Sequence, residues 1–361
     1  VTRELPIASS LGTSSKTGDD PTFMKSQIKP KKRKPKILHL LSDRNIGGIK
    51  STTTSLTNSS LNEQFEFLFL TESEAISSLS EIKPDVIVWH DPCSWRTLWH
   101  LLCLGFATKL LIHEHHYSES FEQWKVRSPW RFRLMLRLSY SIANKVIAIS
   151  LGQRAWMRSY HLARPHHLVM IQQCKHLEQF FDLPVKPIDT PLVLGAYGRF
   201  DQQKGFGTLL RAMQQLKNPQ VELLIGGYGE QEELLRSLAG NDPRIRFVGS
   251  LSDVPSFLAQ CDVVIIPSNW EPWGNVCLEA KAAAKAVIVS RVDGLTEQVR
   301  DCGILVPPND PVALTAAIAQ VYSMPRSQLQ AWGLQGRADV IDVWDDYIAA
   351  WEALLSDLCK R

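Results

Sequence analysis

The chain is constrained most by a rhythm of short apolar runs, three to six residues long and rich in β-branched side chains, separated by helix-length stretches. Parallel strands joined by crossover helices read this way, because helices cover both faces of such a sheet and every strand is buried. Six runs fall in the first half, at 37–41, 65–70, 86–89, 110–113, 146–149 and 168–171. Six more follow, at 192–197, 221–225, 245–248, 263–266, 286–289 and 304–306. Between the two series, residues 183–191 carry three prolines and read as an interdomain linker. The spacing therefore predicts an α/β chain of two doubly wound, Rossmann-like domains, at 36–185 and 190–340. Residues 341–361 are expected to form a C-terminal helix returning toward the first domain. In such sheets ligands sit beyond the strand C-termini, so a cleft between the domains is the expected active site.

Composition narrows the class. No apolar run approaches the ~18 residues of a membrane-spanning helix. The seven cysteines form no C-x-x-C pair, so neither a disulfide framework nor a zinc ribbon is indicated, and a reducing cytoplasm fits. Charge is unevenly placed. Residues 1–36 hold nine Lys/Arg against three Asp/Glu, whereas residues 190–361 hold fifteen against twenty. A nucleic-acid binder is not expected from that balance, but one basic end facing an anionic surface is. Residues 1–35 read as a disordered basic arm without the apolar segment of a signal peptide. Translation from Val1 or from Met24 both fit this arm.

Several loops carry chemistry. Gly47 and Gly48 lie where the first strand turns into a helix, a place whose backbone N–H groups can cradle an anion, although a plain tight turn uses the same residues. Beyond the first strand of the second series, Arg199 and Lys204 project from one glycine-flanked loop, two cations suited to a diphosphate. After the 263–266 run come Glu271, Gly274, Asn275 and Glu279, the first three in a loop and the last about one turn into a helix expected over 276–285. A carboxylate at Glu279 can accept both hydroxyls of a ribose. Glu271, with the N–H groups of Gly274 and Asn275, can face a sugar and its phosphate.

Together the Gly198-Arg199 to Lys204-Gly205 string, the Glu271–Glu279 element and the closing 305–318 segment resemble the retaining GT-B glycosyltransferases of group 1 (family 4). The resemblance implies two Rossmann-like domains facing a cleft, with a nucleotide-diphosphate sugar as co-substrate. It implies that Arg199 and Lys204 neutralise the leaving diphosphate without a metal cofactor, and no D-x-D triplet occurs in the chain. It further implies a catalytic histidine just past the fourth strand, where His115 falls, with His113 as the fallback. A metal site is the rival reading of the His113, His115, His116 cluster, for which the sequence offers no distant partner ligand. The family's usual glycine and proline after the Glu271–Glu279 helix are Ala284 and Ala286 here, so the helix end lacks its glycine cap. The expected activity is hexosyl transfer to a lipid-linked or oligosaccharide acceptor in cell-envelope glycan synthesis. A catalytically idle, membrane-tethered binder of sugar nucleotides is the alternative. Five cations between Lys125 and Arg137, interleaved with tryptophans, suit peripheral docking on the cytoplasmic membrane face, or a solvated surface with a few core anchors.

Overall fold

The computed structural model describes residues 33–42 and 48–360. The basic arm before residue 33, Met24 and Gly47 lie outside them. The first series of runs forms strands β1 (Lys36–Leu40), β2 (Glu66–Leu70), β3 (Val86–Trp89), β4 (Lys109–Glu114), β5 (Lys145–Ala148) and β6 (Leu168–Met170). They make one parallel sheet in the order β2-β1-β3-β4-β5-β6. The second series forms β7 (Leu192–Arg199), β8 (Val221–Tyr228), β9 (Ile245–Gly249), β10 (Val263–Ile266), β11 (Ala286–Ser290) and β12 (Gly303–Val306). Their order is β12-β11-β10-β7-β8-β9, again parallel throughout. Central strands are apolar on both faces: every residue of β3, β10 and β11 is buried, as two-sided helix cover requires.

In each sheet the strand order reverses beside the first strand, between β1 and β3 and between β7 and β10. A crevice opens where neighbouring connections leave in opposite directions. The loops following β7 and β10 therefore meet. They are the loops carrying Arg199 and Lys204, and Glu271 to Asn275. Gly205 makes the close approach possible: its φ is 65°, and a Cβ there would lie 2.0 Å from the Pro267 carbonyl oxygen.

The final helix, Val343–Cys359, lies against the first sheet: Trp351 meets His113 edge-on with ring centroids 5.2 Å apart, and Glu352 accepts from Gln64. The helix after Gly274 spans Asn275–Ala282, shorter than the 276–285 expectation. It stops because the chain turns left-handed at Ala284, φ 53°. Lys285 N–H donates to the Ala280 carbonyl and Ala284 N–H to that of Lys281, both at 2.9 Å, which is the bonding of a Schellman cap. The cap lost from the sequence is thus kept in the backbone, with alanine in the position glycine favours.

Candidate active site

The β7 loop presents two cations in different states. Arg199 is two-thirds exposed and only distantly paired, 3.9 Å from Asp201. Lys204 is drawn inward, its Nζ 2.5 Å from Glu271 Oε2, an oxygen that also accepts from Ser268 Oγ at 3.1 Å. Glu271 is thereby a nearly buried carboxylate with its charge balanced by the neighbouring loop. Gly274 begins the Asn275–Ala282 helix with φ 101° and no side-chain cap, leaving first-turn N–H groups for a ligand.

Glu279 lies inside that helix, buried, and both its oxygens are occupied. Tyr197 Oη on β7 donates to Oε2, and Lys175 Nζ stands 2.5 Å from Oε1. Burial and the Glu279 charge push the Tyr197 hydroxyl upward, so it stays a donor. Lys175 comes from the chain beyond β6, so this ion pair joins the two halves of the molecule.

His115 sits just past β4, 9% exposed. Its Nδ1 is 2.7 Å from Gln173 Oε1 and its Nε2 is 3.0 Å from His90 Nδ1. Gln173 in turn donates through Nε2 to Asn275 Oδ1 at 3.0 Å, and Asn275 Nδ2 faces the Gly48 carbonyl at 3.4 Å and Thr52 Oγ1 at 3.3 Å. Because the Gly48 carbonyl only accepts, each orientation along the chain follows. Asn275 donates there, so its oxygen accepts from Gln173, whose oxygen accepts the His115 Nδ1 proton. Burial holds His115 at about 3, so the ring is neutral and its Nε2 accepts from His90. His90 Nε2 then accepts from His39 Nδ1 at 2.8 Å, and His39 Nε2 ends the relay with no partner among the described residues. His113, the fallback residue, is buried beside this relay, and among the described residues neither of its ring nitrogens has a hydrogen-bond partner. The structure also corrects the sequence reading that the histidine cluster has no distant partner. His90 directly follows β3, the strand paired with β4, and sheet pairing puts it beside His113 and His115.

A second set of contacts crosses the cleft from the Asp293–Gln298 helix. Asp293 Oδ2 accepts from Ser118 Oγ at 2.8 Å and from Glu271 N–H at 3.0 Å, while Oδ1 accepts from Ser120 N–H at 3.1 Å. One turn on, Glu297 accepts from Leu151 N–H at 2.7 Å and from Gln172 Nε2 at 3.0 Å. These carboxylates meet the first turns of the Glu119–Lys125 and Leu151–Ser159 helices, where positive helix ends favour them. Burial nevertheless pushes the pKa of each above its ordinary value. Sequence reasoning missed Gln173, Lys175, Tyr197, Asp293 and Glu297. The available signal was position alone, since each lies on or beyond the C-terminal end of a strand.

A cavity of about 450 Å³ includes Gln173, Trp273, Lys281, Gln298 and Tyr347 in its lining but none of Arg199, Lys204, Glu271 or Glu279. Arg199, Lys204 and Glu271 lie instead on the loops that bring two cations beside the N-terminus of the Asn275–Ala282 helix.

Residues 191–324, which contain these loops, match the family model Glycosyl transferases group 1. They form a group 1 glycosyltransferase domain. The lipopolysaccharide core biosynthesis glycosyltransferase LpsE of Rhizobium meliloti is 39% identical over 142 residues, 38% of this chain and 41% of that protein. Its counterpart LpsD is 36% identical over 41% of this chain and 44% of its own length. The match thus spans under half of these curated relatives. Among solved structures, sucrose-phosphate synthase from Thermosynechococcus elongatus superimposes with a TM-score of 0.74 at 21% identity, over 90% of this chain and 99% of that one. The whole fold is GT-B, and the group 1 domain is its second half.

Proposed function

We propose that the chain is a metal-independent, retaining hexosyltransferase that moves a sugar from a nucleotide-diphosphate sugar to a lipid-linked or glycan acceptor in cell-envelope glycan synthesis. The observation that carries this reading is the meeting of three elements in one cleft: the Arg199–Lys204 loop, the Glu271–Glu279 element, and His115, joined to Asn275 through Gln173 alone. A nucleotide sugar is already activated, so the protein's tasks are to hold it, stabilise charge on the departing diphosphate and exclude water. Arg199 and Lys204 supply the positive charge, with the N–H groups at Gly274 and Asn275. Glu279 anchors the ribose and Glu271 the transferred sugar. The lipopolysaccharide-core assignments of LpsE and LpsD support the envelope context.

The membrane part of the reading has its own support. Trp130, Leu134 and Leu138 are exposed at successive turns of the Pro129–Ile142 helix, with exposed Arg127, Arg131 and Arg137 around them. Trp99 and Phe106 are exposed on the Leu98–Ala107 helix, which packs beside it. Apolar tips ringed by arginine suit the interface of an anionic leaflet. No helix among the described residues is long and apolar enough to cross a membrane.

The deciding experiment incubates the purified chain with a panel of nucleotide sugars and candidate acceptors in the presence of chelator, and follows products by mass spectrometry and anomeric NMR. Transfer with the donor's anomeric configuration preserved is expected. Nucleotide-sugar binding with neither transfer nor hydrolysis favours the idle binder, and an absolute need for a divalent ion overturns the mechanism.

A further inference from the structure

His90, His113 and His115 form a compact buried group, 1%, 2% and 9% exposed, whose ligand atoms all lie within 4.8 Å of one another. His113 is the anomaly in it. An imidazole always carries at least one N–H, yet neither nitrogen of His113 has a hydrogen-bond partner among the described residues. Its ring lies 3.9 Å from that of His115 and 5.3 Å from that of His90, centroid to centroid, with Trp351 closing another side. A buried polar group left unsatisfied is costly, and such groups mark places where something else binds.

We propose that His90, His113 and His115 form a binding site for a divalent transition ion of the zinc class. Imidazole nitrogen selects such ions over magnesium or calcium, which prefer oxygen. The His90 Nδ1 to His115 Nε2 separation of 3.0 Å is near the ~3.3 Å edge of a tetrahedron with zinc–nitrogen bonds of about 2.0–2.1 Å, so a small expansion admits the ion. The outer shell is in place: His115 donates its other ring proton to the Gln173 amide oxygen, and His90 bonds through its other nitrogen to His39. The proton on His90 Nδ1 also has somewhere to go. If His90 takes a proton on Nε2 from His39 Nδ1, and His39 is protonated instead at its unpartnered Nε2, both ligating nitrogens are bare with no net proton lost.

Three protein ligands leave a fourth position for water or hydroxide. Ligation uses His115 Nε2, so an ion here withdraws that residue from any other task. The site stands on geometry alone, and its test does not depend on the glycosyltransferase reading.

The test is zinc binding to the full chain after stripping with chelator, by calorimetry and elemental analysis, with cobalt substitution as a spectroscopic probe. One zinc per chain and the visible spectrum of tetrahedral cobalt are expected. His113→Gln and His90→Gln should each weaken binding at least tenfold, while His116→Ala leaves it within about twofold. Folding of each variant is checked by circular dichroism. X-ray absorption of the zinc-loaded wild type gives a mutation-free readout, expected to show three imidazoles. Absence of stoichiometric zinc, an oxygen-only shell, or unchanged affinity in a folded His113→Gln overturns the proposal.

Discussion

Asp293 receives the backbone N–H of Glu271 at 3.0 Å on the same carboxylate oxygen that holds Ser118 Oγ at 2.8 Å. One side chain thus ties the loop carrying Glu271, in the second half of the chain, to the start of the Glu119–Lys125 helix in the first. With Ser120 N–H on its other oxygen, Asp293 bonds to both Ser118 and Ser120 while holding the Glu271 backbone.

Removing it should be felt in both places. Asp293→Ala leaves three donors without their acceptor and is expected to cost about 1–3 kcal/mol of stability while lowering transfer activity. Its pKa is raised in the folded chain by burial, so the folded form binds the proton more tightly than the unfolded one. The associated stability is full below the ordinary carboxyl pKa of about 4 and is lost as pH rises through the raised value. Wild type should therefore gain stability relative to Asp293→Asn as pH falls from 7 toward 4, measured by paired thermal melts. A loss over that range would show that its hydrogen bonds outweigh burial.

Nucleotide diphosphate should bind with chelator present and depend on both loop cations. A charge-assisted contact contributes roughly 1.5–3 kcal/mol, so Arg199→Ala is expected to weaken binding by about tenfold or more. Lys204→Ala should do at least as much, because it also leaves Glu271 buried without its partner. Calorimetry on the two variants checks this, and unchanged affinity in both removes the diphosphate assignment.

The two glutamates should separate in kinetics. Glu279→Gln is expected to reduce nucleotide affinity, whereas Glu271→Gln lowers turnover with smaller effect on free-nucleotide binding. His115→Ala should lower turnover in the same way. If His113→Ala alone does so, the catalytic position lies two residues earlier.

Ala284 offers a prediction about stability alone. A left-handed alanine costs roughly 1–2 kcal/mol; glycine removes that strain, but its freer unfolded chain offsets part of the gain. Ala284→Gly is expected to stabilise the protein by about 0.5–1 kcal/mol in denaturant melts, with activity unchanged.

Membrane attachment should be salt-sensitive and require anionic lipid, since each cation near the leaflet contributes about 1 kcal/mol or less. Trp130→Ser with Leu134→Ser should reduce vesicle sedimentation several-fold, and so should deletion of residues 1–35. Equal binding to neutral and anionic vesicles points to a soluble acceptor.

The twelve strands and the loops bearing Arg199, Lys204, Glu271 and Glu279 were legible in the linear chain, because strand burial and strand-to-helix turns are written in adjacent residues. The left-handed turn at Ala284 was not, since alanine does not announce it and only the backbone bonding reveals it. Equally hidden were the partners that complete the site. Gln173 reaches Asn275, Lys175 reaches Glu279, and Asp293 reaches Ser118, each pair drawn from different halves of the chain. His90 gains its neighbours through the pairing of β3 with β1 on one side and β4 on the other, and that pairing makes His39, His90 and His115 one relay. Local sequence marks the elements because hydrophobic periodicity and turn chemistry are carried by adjacent residues. The meeting of their ends depends on sheet order and the packing of two domains, which no run of adjacent residues encodes.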